Sequence, residues 1–134
     1  MISWGQITYG AILSAIAAGI LITVSAEVAR SSGSVVRSWY ERLAVIVSGA
    51  ISAGAAPAAW NAILRAADAR GFFVDAPLGV LPARWQDTGS GVFTVALAAL
   101  VLGIGPLAGV PGRRLAVSAL LCGPAAFLVD VYLY

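Results

Sequence analysis

The chain has 134 residues, of which 60% are hydrophobic and only 10% charged, and its mean hydropathy is +0.94. A soluble domain carries about 25% charged residues, so a chain this small and this apolar cannot cover itself for water. Its surface belongs in lipid.

The formal charge of +2 does not indicate nucleic acid. The basic residues are spread along the chain instead of gathered in a patch. All are arginine, and with the abundant alanine this composition points to a GC-rich, bacterial genome. There is no histidine and a single cysteine, Cys122. An intrachain disulfide, a histidine general base and metal or haem sites built on histidine or paired cysteines are excluded for this chain alone. No cofactor is expected.

The first apolar stretch, about residues 7–26, holds no central charge. It lacks a basic n-region and is too long for an h-region, so it reads as a retained membrane helix and not a signal peptide. Gly10, Ser14 and Ala18 line one face of it at helix-packing spacing. A polar loop follows, with SSGS at its centre and Arg30, Arg37 and Arg42 along it. Glu27 and Arg30, three residues apart, share a face if the helix continues.

The second stretch spans about residues 43–64 and carries Ala50, Gly54 and Ala58 at the same small-residue spacing. Pro57 lies inside it and can kink it. The longest connection, about 65–91, mixes matched charges with Phe72, Phe73, Val80 and Leu81. Such a segment is expected to lie on the membrane surface or against a partner. Near its end Asp87-Thr88-Gly89-Ser90 contains an aspartic-protease-like D-T-G triplet. The plainer reading is that Asp87 or Thr88 caps the next helix.

The third stretch is placed at about 92–110, ending in a strict G-x-x-x-G of Gly105 and Gly109, and the fourth at about 115–134, with Pro124 inside it. Between them lies a tight Pro-Gly turn holding Arg113 and Arg114. Each stretch is near the roughly 20 residues needed to cross about 30 Å of hydrocarbon, and nothing alternates with the period of two a β-barrel requires. The expected fold is therefore an all-α integral membrane bundle of four helices in a single domain. Trp4, Trp39, Trp60, Trp85 and the final tyrosines lie near helix ends, where aromatic rings sit at headgroup level.

The first and third loops carry five arginines between them and the second carries three. By the positive-inside rule the first and third face the cytoplasm, with both termini and the long loop outside.

Asp130, one turn from the chain end, is the candidate ion or proton site. Its plainer reading is an interfacial carboxylate paired with an arginine of the outer loop. The small residues Gly10, Ser14, Ala18, Ala50, Gly54, Gly105 and Gly109 are candidate helix-packing positions. No P-loop, nucleophile elbow or zinc-protease motif is present, so catalysis is not expected. The leading expectation is a non-catalytic accessory or scaffold subunit of a larger membrane complex, packing against other subunits or copies of itself within the bilayer. The alternative is a small homo-oligomeric transporter or channel, with Asp130 as coupling carboxylate and a pathway between copies.

Overall fold

A computed structural model describes residues 2–31, 38–76 and 82–133. It contains four α-helices: α1 Trp4–Ser31, α2 Trp39–Ala66, α3 Trp85–Ile104 and α4 Gly112–Leu133. All four are long and apolar enough to cross a membrane. The chain is an all-α membrane bundle. Backbone groups in hydrocarbon must be paired within their own segment, which is why these apolar runs become helices.

Each helix packs on its neighbour in sequence, and α4 returns to pack on α1, so the four form a ring with α2 and α4 also touching across it. The core is built from small side chains: Ala18, Ala53, Ala98, Ala119 and Ala125 are buried with Ile22, Leu102 and Cys122. Without water between them, membrane helices associate by close approach. Gly54 shows this directly: a Cβ there would stand 2.9 Å from the carbonyl oxygen of Ala11 on α1. Gly10, Ser14 and Ala18 are all buried on α1, and Gly19 faces Ala50 of α2. On the other side of the ring α3 and α4 approach through Gly91 and Gly123, where a Cβ on Gly123 would lie 3.1 Å from the carbonyl oxygen of Gly91.

The boundaries differ from the sequence reading in ways that matter. α1 and α2 extend beyond the apolar runs at both ends, because a helix continues into the headgroup region with polar residues on it. α3 starts at Trp85, not near residue 92, and ends at Ile104. Gly105 and Gly109 therefore lie in the α3–α4 turn and not on a helix face. Gly109 adopts φ +73°, a left-handed conformation suited to glycine. Their G-x-x-x-G spacing serves a turn, not helix packing. Pro57 and Pro124 each sit inside one unbroken helix.

Both ends of the bundle are tied by polar contacts. At one end Arg65 donates to the carbonyl of Ile2 at 2.6 Å and lies 5.4 Å from the Trp4 ring centre. The start of α1 and the connection after α2 thus share one end. That connection folds back through a short 3-10 turn, Arg70–Phe73, and a bridge between Asp75 and Arg84. Phe72 meets Trp60 edge-to-face at 5.7 Å, so one of the loop's two phenylalanines packs on its own chain; Val80 and Leu81 lie outside the described residues. At the other end Glu27 pairs with Arg30 at 3.0 Å and with Arg42 at 3.2 Å. Ser38 caps α2 by accepting from the Glu41 amide. The rest of the SSGS loop, including Arg37, lies outside the described residues.

Candidate functional site

Most of the buried polar residues gather at one end of the bundle. α3 opens with Gln86, Asp87 and Ser90, with Thr94 a turn deeper, and all four are buried. These positions share one helical face. α2 contributes Asn61 and α4 contributes Asp130, also buried. Membrane helices expose apolar residues to lipid, so a polar face on such a helix must turn inward.

Asp130 is the centre of the group and is only 1% exposed. Gln86 Nε2 donates to its Oδ2 at 3.1 Å. Ser90, Asn61 and Asp87 are near enough to act on the same carboxylate. The expected pairing of Asp130 with an outer-loop arginine is not what the structure shows. Among the described residues no arginine pairs with Asp130. The physical reason is that α3 begins earlier than its hydropathy indicates and interposes Gln86 and Ser90 between Asp130 and the loop.

Asp87 caps α3 from inside its first turn. Its Oδ2 accepts the Arg84 amide at 2.7 Å, the reciprocal half of a capping box. The capping role foreseen for the D-T-G-S segment therefore falls to Asp87. Its other oxygen, Oδ1, is buried without a partner.

Asp87 Oδ1 is one of several. Asn61 Oδ1, Gln86 Oε1, Ser90 Oγ and, further along α1, Ser14 Oγ are also buried and unpaired. Four of these five atoms belong to side chains that form the Asp130 group. Native interiors hold few unsatisfied polar atoms, so their convergence around one carboxylate sets this end apart. Every one is an oxygen, the donor type preferred by a proton or a hard cation and not by a soft metal. No group of three or more acidic, histidine or cysteine side chains exists among the described residues. The set is therefore unlike the carboxylate cages of divalent ions.

Trp60 lies over the group. Its Nε1–H donates to the carbonyl of Gln86 at 3.1 Å. The ring lies against α3 at Gly89, where a Cβ would come within 2.5 Å of it. Phe93 flanks it at 6.1 Å.

Of the residues singled out from sequence, Asp130, as a site, and Asp87, as a helix cap, belong to this group. Gly10, Ser14 and Ala18 are buried on α1, Ala50 and Gly54 of α2 meet α1 at Gly19 and Ala11, and Gly105 and Gly109 lie at the opposite end. Asn61, Gln86 and Ser90 were missed. The signal that finds them is spacing: positions 86, 87, 90 and 94 carry Q, D, S and T at helical intervals. Comparison with protein-family models, curated proteins and solved structures finds no match to this chain.

Proposed function

We propose that the chain is a small homo-oligomeric membrane transporter or channel in which the Asp130 group binds a proton or a monovalent cation. One observation carries this reading: Asp130 is buried among four side chains with unpaired oxygens, and among the described residues no arginine pairs with it. An ionisable group inside a membrane bundle is expensive to place and is a functional hypothesis by default. Arg84 acts on Asp87, but no described arginine pairs with Asp130 itself, which leaves that carboxylate without a positive partner. A proton or a small cation supplies that charge and fills the acceptors. The reading places the chain in a bacterial cytoplasmic (inner) membrane with both termini outside, which puts the Asp130 group at the outer end.

The test is reconstitution of the pure chain into liposomes loaded with a pH-sensitive or sodium-sensitive dye. Wild-type protein should carry flux that Asp130→Asn abolishes while keeping its helical circular dichroism. Absence of wild-type flux for protons, sodium and potassium would count against this reading.

A second reading, the non-catalytic accessory or scaffold subunit, draws on a different observation. Ile12, Ile16, Ile20, Val24 and Val28 form an exposed apolar row along α1, a surface that a partner helix covers as well as lipid does. Most of the small-residue positions that, with the apolar loop, first motivated this reading are buried inside the chain itself, while Phe72 of that loop touches Trp60 and stays exposed. Co-purification of a different subunit at fixed stoichiometry in mild detergent would favour it.

A further inference from the structure

The end of the bundle opposite Asp130 holds a cavity of about 460 Å³. It lies between the last turns of α1, the first turns of α2 and α4, and Leu107 of the α3–α4 turn. Ile22, Val45, Leu107 and Val117 make an apolar wall. Arg30, Arg42, Arg113 and Arg114 line it as well.

Two of these four guanidinium groups have a described carboxylate partner. Glu27 engages Arg30 and Arg42. Among the described residues no carboxylate pairs with Arg113 or Arg114. Both occupy the first turn of α4, which contains no acidic residue. A helix start carries partial positive charge and is stabilised by acids there, not by bases. Two arginines in that turn oppose the helix dipole, and an anion bound between them reverses the sign of the interaction. The positive-inside rule explains which side these arginines occupy, but not why they surround an apolar hollow.

We infer that this cavity binds an anionic phospholipid. Its phosphate sits between Arg113, Arg114 and Arg42, and an acyl chain lies along the wall of Ile22, Val45 and Val117. Guanidinium groups recognise phosphate through paired hydrogen bonds, and basic pockets between membrane helices suit acidic headgroups. The apolar wall selects a lipid over a free phosphate ion. The site is separate from the Asp130 group and does not depend on its function.

The test is native mass spectrometry of the full chain released from detergent with equimolar phosphatidylglycerol and phosphatidylcholine. Phosphatidylglycerol should be retained in preference, by about tenfold. Arg113→Gln with Arg114→Gln should remove the preference. Ala26→Leu, which keeps every charge but narrows the cavity that Ala26 lines, should weaken phosphatidylglycerol retention. Arg70→Gln, at the other end and paired with Asp68 at 3.1 Å, should change nothing. Excess inorganic phosphate should not displace the lipid. Equal retention of the two lipids, an equal loss in Arg70→Gln, or no effect of Ala26→Leu would each overturn the inference. Displacement by inorganic phosphate would overturn it in favour of a free-anion site. Circular dichroism reports whether the arginine variant is folded; if it is not, Ala26→Leu and the phosphate competition still decide.

Discussion

Gln86 and Asp130 meet across the α3–α4 contact, with Nε2 3.1 Å from Oδ2, although 44 residues separate them in sequence. Each is sealed from solvent, so neither has water as an alternative partner. Gln86→Leu removes the donor that lies 3.1 Å from the carboxylate and should lower stability by about 1–3 kcal/mol. Adding Asp130→Leu should restore part of that loss, because neither member of this pair is then left without the other. Thermal denaturation followed by circular dichroism in detergent measures both. Strictly additive losses would show that the two side chains are not coupled.

Trp60 depends on the missing side chain of Gly89. Gly89→Ala places a methyl group about 2.5 Å from the indole, and overpacking of this kind costs about 1–3 kcal/mol. Trp60→Leu in the same chain should relieve it. If Gly89→Ala melts like the wild type, the indole does not lie against α3.

The glycines should divide sharply by role. Gly54→Leu drives a side chain into the backbone of α1 at Ala11 and should separate α1 from α2 with a large loss of stability. Gly109→Ala meets nothing within 4 Å and should cost only the strain of its positive φ, about 1–2 kcal/mol. Melting temperatures of the two variants in one detergent decide it. Equal losses would mean that the G-x-x-x-G of the turn packs after all.

The four helices were legible in the sequence because lipid imposes a long apolar run on each of them. The start of α3 was not. Gln86-Asp87-Thr88-Gly89-Ser90 has the composition of a loop, and average hydropathy cannot tell a residue facing water from one facing a polar interior. The same ambiguity concealed the Asp130 group. Asp130 was visible as an ionisable residue in an apolar run, but its neighbours come from α2 and α3 and are set by packing. Gly91 and Gly123 passed unnoticed because a close contact between two single glycines has no spacing to recognise. Gly105 and Gly109 had the spacing, but not the helix.

Orientation is tested by single cysteines in a Cys122→Ala background. Gly71 and Gly112 are exposed, and an added Cβ meets nothing within 4 Å at either. A membrane-impermeant maleimide should label Gly71→Cys in spheroplasts and Gly112→Cys only after the membrane is opened. The reverse pattern would invert the topology and place the Asp130 group on the cytoplasmic side.

The contacts are most extensive within the α1–α2 pair and within the α3–α4 pair. Each pair is a hairpin that can enter the bilayer as a unit. The α3–α4 hairpin alone already joins Gln86 to Asp130, but Asn61 and the covering Trp60 arrive only with α2. Until the hairpins dock, a patch holding Asp130, Gln86 and Ser90 faces hydrocarbon, where polar groups lack partners. The polar group thus acts as an address for assembly: it favours the one mating of the two halves that hides it, and two separately expressed hairpins should find each other in the membrane.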